Sequence, residues 1–337
     1  MADTNRSWRL AARPEGMIKD SDFAWREEPV TQELAAGEFL VRTLYLSVDP
    51  TQRGWMERDT YMPAVGIGEV MRAGGIGRVV RSNSPDFAVG DLVSGTVGWQ
   101  DYAVLRPGGM FGAYKLPPGI DPELALSLLG LTGLTAYFGL LEVGAPEPGQ
   151  TVVVSGAAGA TGMVAAQIAK IHGCRAVGIA GGPEKCAFLT RDLGLDGAID
   201  YKADNVAARL RELCPKGIDV YFDNVGGTIL EAALGHLARR ARVVLCGSIS
   251  DYNDMAHTRG PRNYMNLLLQ RSRMEGFLVS DYAPKFPAAV TQLAAWAHEG
   301  RLTNRVDVVA GLEKAPDALR RLFTGANVGK QLVKVAE

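Results

Sequence analysis

The stretch VVVSGAAGATGMVAAQIAK, residues 152–170, carries the strongest chemical signal in the chain. An apolar strand runs into Ala157, Gly159 and Gly162, the spacing of G-x-G-x-x-G with alanine in the first slot, and a helical pattern follows at once. A pyrophosphate needs that order: a tight turn, a backbone it can approach closely, and free N–H groups at the start of a helix. Gly159, Ala160, Thr161 and Gly162 are therefore the candidate pyrophosphate loop. A second strand, 175–180, ends in AGGPEK. An NAD site places Asp or Glu there against the ribose 2′-hydroxyl, and such a carboxylate would repel a 2′-phosphate. Here Gly181 and Gly182 carry no charge and Lys185 supplies a cation, so the corner suits NADP(H). The plainer reading of Lys185 is a solvated charge at a helix start, where the helix dipole disfavours a cation; Glu184 partly offsets it. Tyr201, after the third strand in IDYKAD, either adds a hydroxyl to the same phosphate or is a surface tyrosine capping a strand.

These residues need a parallel sheet behind them. Apolar strands at 151–155, 175–180, 197–200, 219–223, 242–247 and 274–279 alternate with amphipathic helical stretches. That rhythm predicts an α/β fold, a doubly wound Rossmann-type parallel sheet with right-handed crossovers. Residues 7–120 are instead β-rich, with short Val-, Leu-, Tyr- and Trp-bearing runs separated by Gly, Pro and Asp. The expected division is a first domain of residues 1–124 and 300–337, with the coenzyme domain, 125–299, inserted between them. The uncharged run 124–141 has acidic flanks and three glycines, so it predicts a buried helix and not a membrane span.

Composition narrows the partners. The 337 residues include 36 basic and 37 acidic side chains, a net charge of −1, well mixed along the chain. Such a balance lacks the basic footprint of a nucleic-acid binder. The four cysteines, Cys174, Cys186, Cys214 and Cys246, have no CxxC or zinc-knuckle spacing and read as buried reduced thiols. No signal-peptide pattern opens the chain, and the expected compartment is the cytoplasm. Zinc is not expected either: Gly68 and Glu69 stand where a His–Glu pair would be needed, and His172, His236, His257 and His298 share no ligand spacing. Without a Lewis acid, reduction of an activated C=C bond is an easier assignment than oxidation of an alcohol.

Several stretches together carry a family likeness: RPEGM and EEPV near the start, LSVDP at 46–50, GEVMRAGGIGRVV, LTGLTAYFGL, SGAAGATGMVAAQIAK, YFDNVGG at 221–227, CGSISDYN at 246–253 and NVGK at 327–330. In these the chain resembles the zinc-independent medium-chain reductases of the leukotriene B4 dehydrogenase/prostaglandin reductase type, which include bacterial curcumin reductase. The resemblance implies a GroES-like first domain and NADPH-dependent reduction of the C=C bond of α,β-unsaturated ketones or aldehydes. It implies that Lys185 and Tyr201 meet the 2′-phosphate, that Asn224 and Asn327 hold the nicotinamide end, and that Tyr252 is the active-site tyrosine. It also places Cys246, Gly247, Ser248 and Ile249 against the coenzyme, with strand residues Phe277, Leu278 and Val279 lining the nicotinamide pocket. Departures lie at TQR after LSVDP, although Arg53 is kept, and at the loop 255–263; both are expected to border the substrate.

In the resulting mechanism, hydride reaches the β-carbon of an enone and charge builds on its carbonyl oxygen, which needs donors placed in advance. A tyrosine of pKa about 10 can donate at neutral pH without being lost as an anion. Tyr252 read blandly is a loop tyrosine stacking on its neighbours, and Asp223 and Asn224 read blandly are Asx-turn residues before Gly226 and Gly227. Arg53 would steer an anionic tail or form a surface or interdomain salt bridge. Two other functions fit the same residues: a quinone reductase on this scaffold, and a nucleotide-sensing protein without turnover. The sixth strand leaves a sheet edge, which predicts a homodimer paired across a two-fold axis.

Overall fold

The computed structural model describes residues 4–108, 112–254 and 257–337. They form two compact units, one of Met1–Leu126, Asp307–Asn327 and Gln331–Glu337, the other of Ser127–Val306 and Val328–Lys330. The class is the expected one, a β-rich unit and a doubly wound parallel sheet.

In the first unit β1 (Thr4–Leu10) and β2 (Phe23–Pro29) pair antiparallel, Thr4 opposite Pro29 and Leu10 opposite Phe23. A seven-stranded sheet contains β3 (Phe39–Ser47), β4 (Gly75–Ser82), β5 (Leu92–Gly95), β6 (Tyr102–Leu105) and β7 (Tyr114–Lys115). Aromatic rings fill the space behind it. Phe39 stacks on Phe87 at 4.1 Å and Phe23 on Trp99 at 5.4 Å, within a core that also takes in Leu10, Met56 and Met71.

In the second unit β8 (Thr151–Ser155), β9 (Arg175–Ala180), β10 (Gly197–Asp200), β11 (Ile218–Asp223), β12 (Leu237–Leu245) and β13 (Arg273–Gly276) lie in the order β10-β9-β8-β11-β12-β13, all parallel. This is the strand order 3-2-1-4-5-6 of dinucleotide folds. Every residue of β8 is buried, because a parallel sheet covered by crossover helices has no wet face; hence its unbroken valine run. Val153, Val177, Ile199, Tyr221 and Val243 form the centre of this core. The chain then runs into β14 (Val306–Ala310) and β15 (Lys330–Lys334), which join the first unit's sheet. β15 pairs antiparallel with β3, Leu332 opposite Ser47.

Three sequence expectations need correction. Residues 124–141 are not one helix: Pro122–Leu126 and Leu131–Phe138 are separate, and a π-turn, Gly139–Gly144, follows. The break at 127–130 is held by Thr132 Oγ1 donating to the Ser127 carbonyl at 3.0 Å and Asn304 Nδ2 donating to Ser127 Oγ at 2.8 Å. Gly133 permits the bend, since a Cβ there would overlap the Leu128 carbonyl. Strand β12 stops at Leu245, so Cys246 and Gly247 lie beyond it, and β13 stops at Gly276, so Phe277, Leu278 and Val279 are not strand residues. Among the described residues no helix is long and apolar enough to cross a membrane.

Candidate functional site

The loop after β8 is shaped by glycines with separate tasks. Gly156 takes φ +58° and turns the chain; Gly159 donates its N–H to the Gly156 carbonyl at 2.9 Å and precedes helix Ala160–Ile171. No side chain caps that helix, so its first turn, with Ala160 and Thr161, presents backbone N–H groups instead of a capping oxygen. Gly162 sits on the turn itself: a Cβ there would overlap the Gly156 carbonyl oxygen and come within 2.9 Å of Ala157 Cα. Both are backbone atoms, so the helix could not keep its approach. Gly162→Ala should therefore cost about 1–3 kcal/mol of stability by overpacking, read as a lowered melting temperature; an unchanged melt would mean the loop moves aside freely. Gly329 of NVGK lies on the same loop, its N–H donating to the Ala158 carbonyl at 2.8 Å in a bridge pairing Gly159 with Gly329. Asn327, two residues earlier, falls in the first unit.

Strands β8 and β11 flank the point where the strand order reverses, the place where such sheets bind ligands beyond their carboxyl ends. Here Asp223, 1% exposed, gathers four donors. Ser155 Oγ (2.8 Å), Tyr221 OH (3.0 Å), Val225 N (3.1 Å) and Gly226 N (3.1 Å) all donate to its Oδ1. Burial raises the Asp223 carboxyl above its ordinary value, against the pull of these hydrogen bonds. Asp223 is thus the Asx-turn residue of the plainer reading. Asn224 donates from Nδ2 to the Ser155 carbonyl at 2.7 Å, and from its backbone N–H to Ser155 Oγ at 2.9 Å, tying β11 to β8.

The CGSISDYN stretch wraps over this turn. Cys246 and Gly247 donate backbone N–H groups to the Asp223 carbonyl at 2.9 and 3.0 Å, and Ile249 N–H donates to the Asn224 carbonyl at 3.2 Å. Ser248 Oγ is hydrogen-bonded to Asp251. Tyr252 folds back so that its hydroxyl accepts from the Ser248 N–H at 3.3 Å and lies 3.1 Å from where a Cβ on Gly247 would be. Asn224, Cys246, Gly247, Ser248, Ile249 and Tyr252 are therefore brought together at one end of the sheet. The Cys246 thiol is pushed up to about 12 by burial and then by Asp223, which keeps it protonated and unreactive at neutral pH.

A second corner forms where β9 and β10 end. The Tyr201 ring lies over Gly181: a Cβ on Gly181 would stand 2.8–2.9 Å from ring atoms and hydroxyl. Lys185, half-buried, is on the short helix Pro183–Ala187. Sequence reasoning missed Asp200. Its Oδ1 accepts the Gly182 N–H at 2.8 Å and the Lys202 N–H at 3.0 Å, and the first of these bonds leads in holding its carboxyl below the usual range. An acidic residue closing a strand beside the glycine pair was the available signal.

The expected residues Phe277, Leu278 and Val279 follow the end of β13. The Phe277 ring packs on the π-turn against Gly139, and edge-on to Tyr282 at 6.5 Å. Leu278 is exposed, and Val279 opens the 3-10 helix Val279–Lys285. Arg53, 1% exposed, pairs with Glu57 at 2.8 Å and donates to the Pro14 and Gly16 carbonyls at 3.2 Å. It clamps a turn of the first unit and is not on the surface. Of the 255–263 loop, residues 255 and 256 lie outside the described residues.

Known proteins are similar to this chain in sequence and fold. The family model described as an N-terminal domain of oxidoreductase matches residues 6–112, and the one described as a zinc-binding dehydrogenase matches residues 160–296. Among the described residues, however, no group of three or more His, Cys, Asp or Glu side chains could hold a metal ion. The NADPH-dependent curcumin reductase of Escherichia coli K12 is 40% identical over 338 residues, covering 98% of this chain and 97% of that protein. The NADP(+)-dependent 2-alkenal reductase of Nicotiana tabacum is 38% identical, covering 95% and 94%. The crystal structure of CurA from Vibrio vulnificus in complex with NADPH superposes with a TM-score of 0.92 at 40% identity, over 98% of this chain and 99% of that one. With identity of this order along nearly its whole length, the chain belongs to the curcumin reductase-like branch of the medium-chain dehydrogenase/reductase family.

Proposed function

We propose that the protein reduces the C=C bond of α,β-unsaturated ketones and aldehydes with NADPH. The observation that carries this is near-complete alignment with reductases named for such substrates, together with a tight glycine turn that opens a helix with no side-chain cap. The turn fits a dinucleotide. Gly159, Ala160, Thr161 and Gly162 would hold the pyrophosphate; Gly181, Lys185 and Tyr201 would take the 2′-phosphate; Asn224, Asn327, Cys246, Gly247, Ser248, Ile249, Phe277, Leu278 and Val279 would border the nicotinamide half. Bound there, NADPH supplies hydride for the substrate's β-carbon. The chain's part is to hold charge at the carbonyl oxygen. By accepting from the Ser248 amide, Tyr252 is oriented to donate through its own O–H, which a phenol of pKa about 10 does without ionising. Protonation of the α-carbon falls to this tyrosine or to water.

No metal takes part in this reading. Residues 1–171 contain neither His nor Cys, and neutral enone reduction needs only a hydrogen-bond donor at oxygen. A panel of enones and a simple quinone, assayed with NADPH and NADH while metal content is measured, tests the whole scheme. Turnover confined to the quinone, preference for NADH, or stoichiometric zinc in active protein would overturn it.

We also assign a cytoplasmic homodimer joined at the β13 edge. That strand ends the sheet with one neighbour. The helix Met265–Gln270 leading into it has no buried residue and exposes Leu268 (67%) and Leu269 (63%) beside Tyr264 and Met265. An open edge and a contiguous apolar patch are both features that a second copy covers. Light scattering should give a dimer for the unaltered chain and a monomer for Leu268→Glu/Leu269→Glu; a monomeric unaltered chain would overturn this.

A further inference from the structure

Strand β13 has one neighbour in its sheet, β12, and its other side is an open edge. The parallel register of the two strands sets Arg273 beside Arg242 and Glu275 beside Val244. Both arginines lie on the face that carries the π-turn. Arg242 Nε donates to the Gly144 carbonyl at 2.8 Å, and Arg273 Nη2 donates to the Val143 carbonyl at 2.7 Å. Two cations thus stand side by side in one row across the sheet, where like charges repel; burial, and then Arg273, hold the Arg242 guanidinium below its ordinary value. Glu275, on the same face of β13 by strand alternation, reaches Arg273 at 3.2 Å, yet the two side chains stay 49% and 53% exposed. Met274, between them, packs on the core of the sheet's other face.

A two-fold axis that continues the sheet through this edge stands perpendicular to it and keeps each face on its own side. Opposed residues of an antiparallel pair also share a face, so the axis passes through a residue and not between two. Centred on Arg273 or on Glu275, β13 would set like charges face to face. Centred on Gly276, it would leave both charges without an opposite one. We propose that the edge receives a second copy of this chain, antiparallel and with Met274 on the two-fold axis, so that Arg273 faces the partner's Glu275. The inference rests on the dimer assigned above and adds its register. The row of two cations then ends on a carboxylate that the partner supplies, and by symmetry this happens twice. A strand of four residues is short enough to slip, and its charge order selects one pairing.

Single cysteines at positions 273, 274 and 275 read the register under mild oxidation. Opposed residues of an antiparallel pair have Cα atoms about 4.5–5.5 Å apart, within disulfide reach, whereas diagonal ones stand about 7–8 Å apart, outside it. Met274→Cys should run as a cross-linked dimer on a denaturing gel; Arg273→Cys, Glu275→Cys and the unaltered chain should not. Charge reversal is the second measurement. Arg273→Glu and Glu275→Arg each turn two attractive contacts into two repulsive ones, and each should weaken the dimer at least about tenfold in sedimentation. Mixed one to one, the two variants should form a heterodimer within about threefold of the unaltered affinity. Every opposed pair in that mixture is Glu against Arg, although neither chain holds such a pair within itself. Cross-linking at 273 or 275 in place of 274, a dimer that cross-links at none of the three, or a mixture no tighter than its components would overturn the register while leaving the dimer. A monomeric unaltered chain in light scattering would overturn the dimer reading itself.

Discussion

Tyr252→Phe lowers kcat for enone reduction about 10²-fold, the usual cost of removing one preplaced donor to a developing oxyanion, while Kd for NADPH stays within about twofold. The asymmetry comes from position. The hydroxyl of Tyr252 accepts from the Ser248 N–H through a long bond of 3.3 Å, whereas the glycine turn is built by backbone hydrogen bonds and the Asn224 turn by bonds between Asn224 and Ser155. Phenylalanine keeps the ring and loses the hydroxyl, both as the donor and as the acceptor of the Ser248 N–H. Stopped-flow measurement of NADPH oxidation, paired with fluorescence titration of the coenzyme, separates the two quantities. Unchanged turnover would remove Tyr252 from the mechanism. A matching loss in coenzyme affinity would make it a binding residue instead.

Asp223→Ala is the most destabilising single change expected in the second unit, at about 3–5 kcal/mol. Alanine leaves the fully buried Ser155 and Tyr221 hydroxyls, and the Gly226 N–H, without their acceptor. For a chain of this size that corresponds to a fall of roughly 10 °C in melting temperature. Asp223→Asn keeps an oxygen where four side-chain and backbone donors meet, and should cost far less. It also tests the charge. The folded carboxyl titrates above its ordinary value because of burial, so the folded state binds the proton more tightly than the unfolded state. Stability from this group is full below the ordinary carboxylate range and declines as pH rises through the raised folded value. Asp223→Asn should flatten that part of the stability–pH curve. An alanine variant melting with the parent would show that the network is dispensable.

The candidate site was partly legible in residue order. Strands β8, β9 and β10 match the runs 151–155, 175–180 and 197–200 to the residue, since a strand covered on both faces is apolar at its centre. The break at 127–130 was not legible, because an uncharged run with helical composition does not reveal that Gly133 must clear the Leu128 carbonyl. The same holds for Phe277: an apolar residue after a strand pattern reads as more strand until the packing around Gly139 is known. Arg53 in sequence is a cation beside a proline turn, and only the fold buries it against Glu57 and two carbonyls.

By itself the sequence determined the parallel sheet, the glycine loop and the uncharged corner after the second strand, because each depends on local backbone freedom and on periodic burial. Tertiary structure alone decided that Asp223 gathers the ends of β8, β11 and β12, that Asp200 fastens two chain exits, and that Tyr201 lies on Gly181. Those are meetings between residues 18 to 68 positions apart, and strand order and register, which no local pattern encodes, bring them together.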